Sequence, residues 1–194
     1  ACSTRPELVE RSLVEAAAER GVDPVDLALD LALETNLEAR FRMPLLNDDE
    51  DAVEMLLKDP HTVIGLSDAG AHTSQMYDTC YSTHLLGHWV RERGDFTLAE
   101  AVRRLTSHPA ELYGIRDRGR LRPGAWADMM LFDPATVGAG EPHRVADLPA
   151  GGRRTIREPR GVHGVWVNGT QVHDGADYLD VPRGPGQVLR DFAA

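Results

Sequence analysis

Apolar positions in the first half of the chain recur at helical spacing. Leu8, Val9, Leu13, Val14 and Ala17 form one stripe that stops at Gly21. Thr4 stands three residues before Glu7, a capping-box spacing, with Pro6 in the first turn, so a first helix is expected from about residue 6 to 20. Asp23-Pro24 supplies an N-cap and a first-turn proline for a second helix, over 25–34. Its apolar residues nearly encircle it, which predicts burial on more than one side. A third, short helix is expected over 49–57. Thr62-Val63-Ile64-Gly65-Leu66 is an unalternated apolar run closed by Ser67-Asp68-Ala69-Gly70, the pattern of a buried parallel strand. Helices follow over 79–93 and 98–107, the second with its own capping box, Thr97 and Glu100. One more turn over 109–113 ends at Gly114.

The pattern changes near Arg116. Short strands are expected at 127–132 and 162–167; Asn168-Gly169 makes a hairpin turn, and Gln171-Val172-His173 begins the return strand. Residues 135–159 have few apolar positions and many Gly, Pro and Arg, and read as a long surface loop. One strand among about five helices is not a self-sufficient parallel sheet, and a complete eight-stranded α/β barrel takes about 250 residues. At 194 residues the chain is too short for a barrel and a second module. The expected fold class is therefore α/β. Residues 1–115 read as an incomplete barrel segment, and 116–194 as a small β-rich module with a C-terminal tail. Ala1 in place of Met reads like a cut inside a longer protein.

Charge narrows the partners. Lys+Arg number 21 against 31 for Asp+Glu, a formal net charge of -10. Nucleic acid and anionic membranes want the opposite sign, so neither is an expected partner. No apolar run reaches the roughly 18 residues of a membrane helix, and no signal peptide is visible. Cys2 and Cys80 make no disulfide framework and no CxxC pair, which suits a reducing compartment and a cytoplasmic location.

The chief candidate for chemistry is Asp68. A carboxylate at the C-terminal end of a barrel strand projects where strand-to-helix loops meet, and there it can bind a metal or move a proton. The plain alternative is that it caps the next helix. Gly70 and Ala71 leave room for substrate. His72, four residues on, together with Ser67 and Gly70, is placed to touch substrate or support the carboxylate. His84 and His88 form an i, i+4 pair, but no HExxH is present, and they read as structural. Cys80, near the start of the same helix, reads as inert. No GxGxxG, GxxxxGK[ST] or GxSxG motif occurs.

Four ordered segments resemble the amidohydrolase superfamily. Ile64-Gly65-Leu66-Ser67-Asp68-Ala69-Gly70-Ala71-His72 resembles its strand-eight aspartate motif. The segment 105–115, with Thr106, Pro109, Ala110 and Gly114, resembles its T-x-x-P-A-x-x-x-G helix. Residues 117–134, containing Pro123-Gly124, Ala127-Asp128 and Phe132-Asp133, resemble its entry into a β-sandwich, and Val165-Trp166-Val167-Asn168-Gly169 its late hairpin. Ser82–Arg93, Asp147–Gly152 and Pro185–Arg190 are similar to the N-acyl-D-amino-acid deacylase, or D-aminoacylase, branch.

The resemblance implies that residues 1–115 are the C-terminal part of a (β/α)8 metallo-hydrolase barrel, and 116–194 a β-sandwich-type module. It implies a zinc enzyme, with one or two ions, that cleaves the amide C–N bond of small N-acyl-D-amino acids. Metal-bound hydroxide attacks the acyl carbonyl, and Asp68 acts as proton shuttle and metal-site carboxylate. The family's H-x-H pair, bridging ligand and two middle-strand histidines have no counterpart here. The chain alone is therefore expected to be inactive and to hold no tightly bound zinc. It should self-associate or dock a missing N-terminal segment. Two alternatives stand beside this reading: a dihydroorotase- or hydantoinase-like enzyme acting on a cyclic or other amide, and a non-catalytic association module.

Overall fold

The computed structural model describes residues 5–9, 11–43, 46–65, 67, 69–70, 72 and 79–190. It forms two compact units, Ala1–Ala52 and Val53–Ala194. In the first, a 3-10 turn (Pro6–Leu8) precedes α1 (Leu13–Arg20) and α2 (Pro24–Glu34). The single helix expected from residue 6 is thus divided. Ser12 has φ -61° and ψ 128°, and its side chain accepts the Glu15 N–H at 3.4 Å, so the helix begins there and not at Pro6. Thr4, the cap expected from sequence, lies outside the described residues. Gly21 closes α1 at φ 67°. Asp23 Oδ1 then accepts the Val25 N–H at 2.8 Å and opens α2, as the sequence predicts.

The core of this unit is Ala16, Ala17, Leu27 and Leu31, with Leu8 and Leu13 at its margin. Val25, Leu29 and Leu33 are exposed. The expected burial of α2 on several sides is corrected here: among the described residues of its unit it packs mainly on α1, with Leu8 at the margin and Arg5 on Glu34, and its opposite face is exposed.

The second unit is built on α3 (Glu50–Lys58), which starts at its boundary, and on α4 (Tyr81–His84). The latter continues as a π-helical stretch, Leu85–Glu92. After it come α5 (Leu98–Leu105) and α6 (Ser107–Leu112). Leu85, Leu86, Trp89, Phe96, Ala101 and Val137 form the buried core, with Leu57, Ile64 and Leu105 packed at its edge. Arg104 is buried against this core. Its Nη2 donates to the carbonyl of Lys58, the last residue of α3, at 2.9 Å, and its guanidinium lies over the Phe96 ring.

The expected strand at 62–66 is not found. Residues 62–65 belong to no sheet, and Leu66 lies outside the described residues. A parallel strand exists only through hydrogen bonds to its neighbours, and the described residues supply none for it. Ile64 packing on the core is what remains of that pattern.

The sheets are antiparallel: β1 (Met129–Phe132), β6 (Val162–Val167) and β7 (Thr170–His173) in the order β1-β6-β7, a β2 (Gly138–Ala139)·β5 (Pro159–Arg160) pair, and a β3 (His143–Leu148)·β4 (Gly152–Ile156) pair. Asn168 at φ 49° and Gly169 at φ 81° turn β6 into β7, as predicted. The loop expected over 135–159 is corrected: it contains β2, β3 and β4. The β3–β4 hairpin escaped the pattern because neither of its faces forms a core. It is held instead by cross-strand bonds and by the paired Arg154–Asp147 side chains, at 2.7 and 2.8 Å.

Helices and β module interlock through Val137, which is fully buried in the helical core. Arg91 Nη1 donates to its carbonyl. A Cβ on Gly87 would lie 2.8 Å from that same carbonyl oxygen and 2.9 Å from Gly138 Cα, so only glycine lets the two backbones approach this closely.

Several carboxylates are held ionised below their ordinary range. Asp133 accepts the Ala135 N–H at 2.8 Å and the Thr136 hydroxyl at 3.0 Å; Asp174 accepts from the backbone of Asp177 and Ala176; Glu92 is bonded first by His88 and then by Arg91. A depressed folded-state pKa contributes stability above the unfolded pKa, about 4 for these groups, and that stability is lost as pH falls through the lower folded value. The melting temperature should therefore hold between neutral pH and the unfolded pKa and drop below it, and the acid-side drop should be smaller in Asp133→Asn. A melting series across that range checks both.

Candidate active site

The expected site sits where the Ile64 anchor ends. Ser67 is half-buried, and its carbonyl accepts the Ala69 N–H, which folds the chain into a tight turn. Gly70 is exposed at φ 97°, a conformation that L side chains rarely adopt, and among the described residues no atom lies within 4 Å of where its Cβ would be. His72 is exposed, also with positive φ, at 49°. Asp68, Leu66, Ala71 and residues 73–78 lie outside the described residues.

Cys80 opens α4; its thiol is free, and its carbonyl accepts the His84 N–H at 2.8 Å. The His84 and His88 rings stack at 4.9 Å and 14°, and His88 Nδ1 lies 3.1 Å from Glu92 Oε2. The pair thus packs ring on ring, and His88 is also partnered by Glu92. Among the described residues no three His, Cys, Asp or Glu side chains are grouped to hold a metal ion. A zinc centre therefore does not fit the described residues alone.

A second concave feature lies in the segment after α6. Ser107, Ala110, Glu111, Gly114 and Ile115, with Arg116, Arg118, Arg120 and Arg122, line a cleft of about 440 Å³. Arg120 bonds Glu111, and Arg122 Nη2 donates to the Arg116 carbonyl at 2.7 Å. Arg118 Nη1 bonds Asp128, whose other oxygen accepts the Asn168 N–H at 2.8 Å. The Arg118 guanidinium also lies over the Trp126 ring. Reading for contiguous basic runs misses this cluster; the signal was the alternation Arg-x-Arg-x-Arg-x-Arg. Gly119, at φ 77°, seats the loop on α6. A Cβ there would stand 2.9 Å from the Thr106 carbonyl oxygen and 3.0 Å from Ala110 Cβ. Gly119→Ala should cost about 1–3 kcal/mol, read as a lower urea midpoint with an unchanged slope.

The amidohydrolase family matches residues 5–173. The chain belongs to the amidohydrolase family. It is 35% identical over 173 residues to D-aminoacylase of Alcaligenes xylosoxydans xylosoxydans, covering 88% of this chain and 32% of that protein. It is also 35% identical over 188 residues to the N-acyl-D-aspartate deacylase of the same organism, covering 95% and 34%. Among solved structures, D-aminoacylase superposes with a TM-score of 0.51 at 31% identity, over 91% of this chain and 34% of that one, and a copper-complexed D-aminoacylase mutant gives the same values. The chain spans about a third of the length of the curated relatives it matches. Both the superfamily and the deacylase resemblance are thereby borne out. The match extends across both units and to the end of the hairpin of β6 and β7. Among the described residues no helix is long and apolar enough to cross a membrane.

Proposed function

We propose that this amidohydrolase chain is the C-terminal region of a zinc-dependent deacylase that hydrolyses the amide C–N bond of N-acyl-D-amino acids. The 35% identity to D-aminoacylase over 88% of the chain carries this reading. In it, residues 1–115 end a (β/α)8 barrel and 116–194 form the β-sandwich-type module. By the resemblance, Asp68 corresponds to the carboxylate that follows the family's last barrel strand. It takes a proton from the attacking water and delivers it to the departing amine, the work of a general base that then serves as general acid. Ser67, Gly70 and His72, its neighbours in sequence, touch substrate or support the carboxylate in this reading.

A bound transition metal would supply Lewis acidity and ionise the water; the copper complex of the D-aminoacylase mutant supports such a centre. One or two zinc ions are proposed for the whole protein, with Asp68 as one metal-site carboxylate. The remaining ligands of this reading are assigned to segments outside the chain, because its sequence contains no H-x-H pair. The chain by itself is accordingly inactive and zinc-free. Exposed Leu29 and Leu33 on α2, with Met55 and Leu56 on α3, support self-association or a further segment of the same protein as the covering partner. A net charge of -10 argues against nucleic acid, and the unpaired Cys80 suits the reducing cytoplasm.

Two measurements test the reading. The full-length protein should release amino acid from N-acetyl-D-amino acids far faster than from the L enantiomers or from hydantoins and dihydroorotate; preference for a cyclic amide would overturn the substrate assignment. The 194-residue chain should carry no stoichiometric zinc by elemental analysis after gel filtration; one tightly held equivalent would show that its ligands lie within the chain.

A further inference from the structure

The outer face of α2 carries a chemistry that selects its covering. Val25, Leu29 and Leu33, four residues apart, form one apolar stripe along the helix, and each is more than half exposed. Leu27 and Leu31, on the other side of the helix, are the ones buried in the core of the unit. Leu29 and Leu33, together with Val22, floor a groove of about 680 Å³ whose charged lining is Asp23, Asp26 and Asp30. Among the described residues no cation lines it.

The negative charge of this groove is not balanced from within. Residues 1–52, the span of the first unit, hold five Lys and Arg against thirteen Asp and Glu, so eight of the chain's ten net negative charges fall there. Arg5, Arg11 and Arg20 are spent on Glu34, Glu19 and Glu7. Among the described residues Asp23, Asp26 and Asp30 meet no cation, and Asp23 serves only the Val25 N–H. An apolar groove of this kind takes an amphipathic helix, and charge decides which one. A second copy would set three more aspartates against the first three with no cation between them, which disfavours pairing of α2 with itself. We propose that α2 is covered by a basic amphipathic helix from the remainder of the same polypeptide. That helix lays apolar residues at i, i+4 spacing on Leu29 and Leu33, and Lys or Arg along Asp26 and Asp30. The proposal rests on the reading of this chain as one region of a longer deacylase, and adds the chemistry of the segment that meets it.

The test is alkylation of Leu29→Cys by N-ethylmaleimide, resolved by site with mass spectrometry, in the full-length protein and in the 194-residue chain. Position 29 should react about tenfold more slowly in the full-length protein, where the helix must open before reagent enters. Adding Asp26→Lys and Asp30→Lys should shrink the ratio of the two rates about threefold, because like charges then meet. Taking the ratio cancels any direct effect of these substitutions on the thiol. Should the charge-reversed protein fail to fold, raising NaCl from about 0.05 to about 0.5 M should shrink the ratio in the same sense. Three results would overturn the proposal. Equal rates in the two proteins would leave α2 uncovered. Protection of the 194-residue chain that fades on dilution would give the face to a second copy. Protection that neither charge reversal nor salt moves would mean a covering segment that is not basic. Activity is read separately: a full-length protein that shields position 29 but hydrolyses no N-acyl-D-amino acid would sink the functional reading and support this contact.

Discussion

Asp68→Asn in the full-length protein is expected to lower kcat by about 10²–10⁴-fold, the range in which a positioned acid–base group contributes. The asparagine side chain has nearly the size and shape of the aspartate but cannot take up a proton near neutral pH. It therefore removes the transfer and leaves the packing. Substrate affinity should change much less than kcat, because the lost interaction belongs to the transition state. The melting temperature should stay close to that of the parent, since the described residues nearest Asp68 on its C-terminal side, Gly70 and His72, are exposed. Turnover like the parent's would refute the assigned role. Collapse of the fold would instead favour the alternative reading of Asp68 as a structural cap, and a circular dichroism melt beside the kinetic assay distinguishes the two.

Trp89→Ala carries the largest expected effect on stability, a loss of about 3–5 kcal/mol. Trp89 is buried at the centre of the second unit's core, between Leu85, Leu86, Phe96 and Ala101. Its ring also takes the Arg93 guanidinium at 5.1 Å and the edge of His88, and its carbonyl accepts the Asp95 N–H at 2.9 Å. Truncation leaves a void that the π-helical stretch is poorly placed to close, because Gly87 already holds that stretch against β2 at backbone contact. Since marginal stability is typically 5–15 kcal/mol, this one change should consume much of it. Urea denaturation should show a midpoint lowered in proportion. Leu33→Ala, on the exposed face of α2, should move the midpoint by less than about 0.5 kcal/mol. A Trp89→Ala protein as stable as the parent would mean that the core is centred elsewhere.

Helices of this chain were legible wherever a cap accompanied the apolar period. Asp23 opens α2 and Thr97 opens α5 where the sequence places them, because a side-chain acceptor one residue before a helix acts locally and needs no tertiary partner. The β6–β7 turn was legible for the same reason: Asn168-Gly169 satisfies positive φ at both central positions by itself. The errors share the opposite cause. Among the described residues, the run at 62–65 has strand composition but no paired neighbour, the β3–β4 hairpin has paired neighbours but no apolar alternation, and α2 has apolar residues around its circumference but packs mainly on one helix.

Local chemistry written into single residues and short spacings was thus enough to indicate caps, turns, helix periods, family and the candidate carboxylate, each being a matter of a few adjacent groups. What only the tertiary structure decided are the meetings between distant segments. Val137 reaches the helical core against Gly87, Arg104 reaches the end of α3, and the alternating arginines after α6 gather at one cleft with one guanidinium edge unfilled. Such meetings depend on which surfaces are buried together and on which hydrogen-bonding groups remain without a partner, and neither is a property of any stretch of sequence taken alone.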